Sequence, residues 1–520
     1  MTSPSPISSS YSFSLKGNFF LNRIVPPLLA FLLARLLLFL AAQSTGIDFF
    51  EPETWKRFDS NHYLSIAKQG FTLYPCTTED HSTSHTWCGT SGWFPGYPLL
   101  IQSVSFLFPT LGWTAMVLSA VLHLACLILL WNGFLETSFK KESLLCLLLA
   151  AFFPGQVYHH AIFPISLLTL FTMLFFYYLI KKNIISAGLA AAGAGFSYPS
   201  GILLPGIGFL YLLMQKKVKS GLLLMSLGCL GPAMAALVFQ VQVGHWDAYF
   251  KVHQKYDHTL SNPLATLSRA VQPVFHPEHW WSSSGLSLVT FKTEDGRFLC
   301  ADNQSLLANR SVPGDWETFE RITLGDKKIA LRAYTGLFLC LSEDDGQTVL
   351  VRCPQIGPQA IFEEVQASAP FMALKAVNGL YLCPDDNHKL FPVRAACTDL
   401  KKPSLFKSES RAGSRGQQKA VVAGQTGFLF ILLIVLLLPL LFRRPPQGSV
   451  DILMALFILV YWIFHYSLGS SLTLTRAEAL LLPSIILGSR LSWKMLMALL
   501  LLAIPLAFFM GQLFFRYALV

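Results

Sequence analysis

The chain has 520 residues, 53% of them hydrophobic and 13% charged, with a net charge of +10 and a mean hydropathy of +0.49. Soluble domains carry roughly 25% charged residues, so a chain that is soluble throughout is excluded. The basic residues flank apolar runs and form no patch interleaved with aromatics, which excludes a nucleic-acid footprint and points to a bilayer as the partner.

Residues 1–20 read as a polar cytoplasmic tail, without the layout of a cleavable signal peptide. The run 21–42 reads as a retained signal anchor. About 20 apolar residues cross the hydrocarbon. Runs of that kind, some short, follow at 112–135, 142–161, 163–180, 184–199, 200–214, 220–241, 424–442, 451–468, 476–489 and 494–513, giving about eleven transmembrane helices. Orientation comes from charge. Lys16 with Arg23, Lys140–Lys141, Lys181–Lys182, Lys216–Lys217 with Lys219, Arg443–Arg444, and Arg490 with Lys494 all fall inside if the N-terminus is inside. That topology puts 43–111 and 242–423 outside.

Within the first outer loop, Trp55 to Gly70 has the spacing of an amphipathic helix and Trp93 to Phe108 is apolar and broken by proline; both suit the membrane surface. Trp280–Trp281 reads as an interfacial anchor or a sugar-stacking surface.

Between 287 and 408 hydrophobicity drops and a repeat appears. Its copies reach Gly296-Arg-Phe-Leu-Cys300, Gly336-Leu-Phe-Leu-Cys340 and Gly379-Leu-Tyr-Leu-Cys383, each after a strand-like segment, and each copy ends in an aromatic: Phe319, Phe362 and Phe406. Three units of four short strands are what a β-trefoil requires. The Gly-x-Phe/Tyr-Leu-Cys pattern and Asp315-Trp-Glu-Thr-Phe319 resemble the fascin-like trefoil. In that reading Cys300, Cys340 and Cys383 are core residues, and Cys353 and Cys397 have no evident partner. Of the ten cysteines, Cys126, Cys146 and Cys229 read as small core hydrophobes. Cys76 with Cys88 is the best candidate disulfide, given an oxidising compartment.

The sharpest local signal is Arg57-Phe-Asp59-Ser-Asn-His62-Tyr-Leu-Ser-Ile-Ala-Lys68-Gln-Gly-Phe71, followed by Gly92-Trp-Phe-Pro95-Gly-Tyr97-Pro98. Asp59 opens a helix, where an acid often serves only as a cap. The two segments resemble the opening of the GPI second-mannose transferases and their bacterial relatives, a GT-C family, and an inverting sugar transferase of that kind needs one carboxylate to take the acceptor hydroxyl proton. A lipid phosphate is already a good leaving group and needs only cations or hydrogen bonds near it. Arg57, His62, Lys68, His159 and His160 are the candidates, all at the outer membrane edge in this topology.

The resemblance implies a polyprenyl-phosphate-sugar donor, a glycan or lipid-glycan acceptor, an active site on the non-cytoplasmic face, and Asp59 as catalytic base. Phe152-Phe-Pro154 to Ser166 and Gly195 to Gly201 also resemble family segments, with Ile165 standing where the family has Glu and Tyr198 where it has Arg. Gln242 to Phe250 resembles a further family loop. No Asp-x-Asp motif lies in loop one, so no metal or other cofactor is indicated.

The expected architecture is therefore a polytopic α-helical membrane protein, GT-C-like over 21–286, with an inserted all-β trefoil at 287–408 and further transmembrane helices over 409–520. A fascin-like insertion favours a bacterial plasma membrane over the ER. The expected function is a mannosyltransferase-like glycosyltransferase. The alternative is a non-catalytic, membrane-anchored glycan-binding receptor that uses the trefoil, suggested by Ile165 and Tyr198. A transporter would require inverted repeats and broken midplane helices, and the spans show no such symmetry.

Overall fold

The computed structural model describes residues 22–76, 87–135, 140–254, 260–275, 286–411, 415–442, 449–468 and 474–516, except 303, 312, 315, 326, 335–336, 368, 387–390 and 401–403. The tail 1–20 with Lys16, Trp280–Trp281, Asp315, Gly336 and Arg443–Arg444 lie outside the described residues.

Among the described residues, six helices are long and apolar enough to cross a membrane: Val25–Gln43 (α1), Leu111–Gly133, Val218–Val243, Ala420–Leu440, Val450–Ser467 and Trp493–Phe515. The molecule fits an integral membrane protein carrying a β region. Their composition excludes an aqueous surface: Leu29, Leu32, Leu36 and Leu40 of α1 lie open on one side, while Ala30, Ala34, Leu38 and Ala41 pack inward. Four further segments among the described residues are apolar but shorter, at Gly96–Leu107, Ile165–Ile180, Ile184–Ser197 and Pro199–Met214.

Two segments expected to span are interrupted. The first, 142–161, stops as a helix at Ala151, turns through Pro154 and Gly155 (φ +76°), and resumes as the short helix Gln156–His160. Proline has no N–H to continue the ladder, and glycine takes the left-handed turn at little cost. The second, 476–489, is a six-residue helix, Leu474–Ala479, followed by the 3-10 helix Leu482–Arg490. Both interruptions lie in the buried core and place polar side chains there.

Small residues let the helices approach closely. A Cβ on Gly231 would lie 2.0 Å from the Ala192 carbonyl oxygen, so helix Ile184–Ser197 packs on Val218–Val243 through glycine and alanine. A Cβ on Gly96 would meet Ser197 Oγ at 2.6 Å; that contact sets Gly96–Val104 against the end of Ile184–Ser197, next to Tyr198.

The β region runs from Leu286 to Arg411 and holds strands β3 to β14, after the two-residue strands β1 (Tyr74–Pro75) and β2 (Trp87–Cys88) of loop one. Six of its strands pair antiparallel into a closed ring. Leu286–Thr293 (β3) pairs with Phe319–Gly325 (β6), β6 with Lys328–Arg332 (β7), and β7 with Phe362–Gln366 (β10). Strand β10 then pairs with Phe371–Lys375 (β11), β11 with Phe406–Arg411 (β14), and β14 returns to β3. Closure leaves the ring without an open edge. Three hairpins stand on it: Phe298–Asp302 with Ser305–Arg310, Phe338–Leu341 with Val349–Cys353, and Tyr381–Pro384 with Val393–Cys397. Phe291, Phe319, Phe362 and Phe406 are fully buried in one core with Leu331 and Leu374.

The cysteines correct the sequence reading in part. Cys76–Cys88 is a disulfide as expected. Cys340 and Cys383 are buried, but they bond to Cys353 and Cys397 across their own hairpins. Register explains the pairing: Phe338 faces Cys353, and Tyr381 faces Cys397. In the first hairpin the same position, opposite Phe298, holds Arg310, and Cys300 is a free, buried thiol. Cys126 and Cys146 are buried as expected, whereas Cys229 is exposed on the outside of its helix.

Candidate active site

The site begins at a strained turn. Phe58 has φ +49°, the left-handed region, which costs a non-glycine residue roughly 1–3 kcal/mol. Its neighbours hold it there. The Ser60 hydroxyl accepts from the Arg57 backbone N–H (3.1 Å) and donates to the Ile162 carbonyl (3.0 Å). Arg57 is 3% exposed, and its guanidinium donates to the carbonyls of Glu53, Lys56, Phe514 and Phe515. Those bonds tie loop one to the end of the last helix. Arg57 was expected near a donor phosphate; its charge is instead spent on backbone carbonyls, so it acts as a clamp on the loop.

Asp59 follows and precedes helix Ser60–Gln69. Its backbone carbonyl accepts from His62 and Tyr63, but its side chain makes no capping bond. The carboxylate instead forms an ion pair with Arg476 of the short helix Leu474–Ala479. The Asp59 side chain is 30% exposed and that of Arg476 only 8%. Burial pushes the Asp59 carboxyl up, but the Arg476 charge and hydrogen bond outweigh it, helped by His62 and the Trp93 side chain. The carboxyl is held below the usual carboxylate range and is ionised at neutral pH.

Around this pair the surface is aromatic. His62 stacks on Trp93 with ring centroids 3.6 Å apart and 17° between planes. The Arg476 guanidinium lies over Phe163 at 5.4 Å. Tyr198, which stands where the resembled family has arginine, lies close enough to interact electrostatically with both Asp59 and Arg476.

The remaining expected residues lie elsewhere. Lys68 is exposed at the far end of the Asp59 helix, about 13 Å away along the axis at 1.5 Å per residue. His159 and His160 were expected at the outer membrane edge; both are fully buried. His159 contacts Ser166 Oγ (3.3 Å) and the Ala479 carbonyl (3.2 Å), and His160 contacts His123 Nδ1 (3.0 Å). The turn at Pro154–Gly155 directs these rings into the bundle. Neither Arg476, at the start of the apolar run 476–489, nor Trp93 was given a role from sequence. The only available signal was a charged residue at the edge of an apolar run, which defaults to a functional hypothesis.

No family model matches this chain, and no curated protein does. Among solved structures, the chain is similar to the S. cerevisiae protein O-mannosyltransferase Pmt1–Pmt2 complex bound to the sugar donor. The identity is 11% and the TM-score 0.39, over 95% of this chain and 90% of that one. It is also similar to ThreeFoil, a designed 3-fold symmetric protein, at 14% identity and a TM-score of 0.22, over 23% of this chain and 96% of that one. Likenesses this distant assign neither family nor activity.

Proposed function

We propose that the protein is a glycosyltransferase of GT-C type that moves a sugar, mannose by resemblance, from a polyprenyl-phosphate donor to a glycan or lipid-glycan acceptor. The observation that carries this reading is Asp59: an ionised, partly exposed carboxylate on a strained turn, with its side chain free of capping duty. Strain of this kind persists where surrounding structure over-determines it and clusters at active sites. As base, Asp59 takes the acceptor hydroxyl proton while the acceptor oxygen attacks C1 with inversion. His62 and Trp93 offer an aromatic face beside the reacting centre.

The site and the β region belong on the non-cytoplasmic side. The charge pattern of the loops supports that placement. So do three disulfides, which need an oxidising compartment. The catalytic loop is 43–111 within a transmembrane region of 21–286, and the closed ring with three hairpins supports a fascin-like β-trefoil at 287–408, ahead of the helices of 409–520. As an accessory domain it binds the acceptor glycan. One observation favours the receptor reading instead: Trp316, 37% exposed, stacks on Tyr334 at 5.8 Å on the β region, a surface suited to sugar rings. In that reading the bundle is only an anchor.

Sugar transfer from radiolabelled polyprenyl-phosphate mannose by purified wild type and Asp59→Asn decides between them. Activity in the wild type with a loss of a hundredfold or more in the variant supports the transferase and its base. Transfer by neither protein, with retained glycan binding, supports the receptor.

A further inference from the structure

Arg476 carries more hydrogen-bonding capacity than its surroundings use. Its Nη1 donates to Asp59, but its Nε is buried without a hydrogen-bond partner. A guanidinium presents five donors in a fixed planar fork that matches phosphate and carboxylate, and leaving one of them buried and unpaired is costly. The helix that carries it is held firmly. Thr475 bonds Tyr158 OH at 3.0 Å. Glu478, 1% exposed, takes three donors: Gln425 Nε2 at 2.7 Å, Thr426 Oγ1 at 2.6 Å and Tyr466 OH at 3.0 Å. Gln425 in turn accepts from the Gly155 N–H at 3.0 Å. The guanidinium is therefore fixed by the bundle, whereas its carboxylate partner sits on a loop and is the more exposed of the two.

We propose that Arg476 is the anion-binding residue of the site and that Asp59 is its placeholder: the phosphate ester of the lipid-linked donor takes over the guanidinium and frees the carboxylate to act as base. This rests on the transferase reading above. The donor phosphodiester carries one negative charge. In the transfer step the acceptor oxygen forms its bond to C1 and gives its proton to Asp59. The bond from C1 to the phosphate oxygen breaks, and its electron pair leaves with the polyprenyl phosphate, which then carries two charges. Arg476 meets more charge in the transition state than in the ground state, which is the condition for lowering a barrier. Loss of the Arg476 contact also raises the proton affinity of Asp59, so donor binding and base activation are one event.

The test is binding of farnesyl phosphate, with inorganic phosphate as a second probe, to the full-length protein in lipid nanodiscs by calorimetry. Asp59→Asn removes the competitor and is expected to bind farnesyl phosphate about tenfold tighter than wild type, because the binding-competent fraction rises. Arg476→Gln is expected to bind about tenfold weaker. The double variant matches Arg476→Gln, since without the guanidinium there is nothing to compete for. Arg476→Lys, which keeps the charge and loses the fork, falls between. Asp59→Asn binding no tighter than wild type overturns the proposal, and it does so even if Arg476→Gln fails to fold. Tightening with farnesyl phosphate alone supports a lipid headgroup as occupant; tightening with both probes supports any phosphate anion and overturns the lipid assignment. Sugar transfer is read separately. Tightening without transfer leaves the anion exchange standing and the transferase reading fallen; transfer without tightening does the reverse.

Discussion

The helical bundle and the β ring solve the same problem, the packing of a buried core, in opposite ways. The ring repeats one local solution three times: a strand, a turn, a hairpin, an aromatic. Its disulfides close loops of 13 and 14 residues. The bundle builds its polar core from single residues far apart in sequence. Asp59 meets Arg476 across 417 positions, and Arg57 reaches Phe514 across 457. Repetition makes a region robust and uniform; long-range convergence makes a place where one charge is held in one unusual state.

The largest expected effect breaks the comparison at the bundle. Asp59→Asn lowers transfer by a factor of a hundred to ten thousand, and the circular dichroism of the β region stays unchanged. Next comes the core of the ring: Phe291→Ala destabilises it by about 3–5 kcal/mol, read as loss of the strand signal at lower temperature while the helical signal persists. Replacing Cys340 and Cys353 together by serine costs about 3 kcal/mol, because a short cross-link is removed from the unfolded chain. A smaller effect returns to the site. Arg476→Gln removes the main influence that lowers the Asp59 pKa, while His62, Tyr63, Trp93 and Tyr198 still face the carboxyl. The carboxyl pKa therefore rises, and the acid limb of the kcat/KM profile moves to higher pH by about one unit. An unmoved limb would assign the ion pair a purely structural role. The smallest change sharpens the threefold pattern: Arg310→Cys beside Cys300 is expected to form the missing hairpin disulfide and to stabilise the ring by about 1–3 kcal/mol, read from thermal unfolding with and without reductant.

The sequence was legible where physics acts locally. The three aromatics Phe319, Phe362 and Phe406 recur because three equivalent strands need the same filling, and all are fully buried. Asp59 stood out because its neighbours along the chain form one short motif. The second cysteines were missed because they lie outside the Gly-x-Phe/Tyr-Leu-Cys pattern; the similar spacings from Cys340 to Cys353 and from Cys383 to Cys397, 13 and 14 residues, were the available signal. The burial of His159 and His160 was not legible because a hydropathy window cannot see the turn at Pro154–Gly155 that sends them inward. Arg476 stayed without a role because nothing near it in sequence announces a carboxylate on the first loop.

The bonds from Arg57 to the carbonyls of Phe514 and Phe515 have a consequence for biogenesis. The clamp on the strained turn at Phe58 is complete only when the last helix is in place. At roughly 5–20 residues per second of synthesis, the ribosome takes about half a minute to a minute and a half to travel from one partner to the other. Through that interval the first loop waits for its clamp. Nascent chains stalled before residue 514 should therefore expose loop one to protease, and release of the full chain should close it.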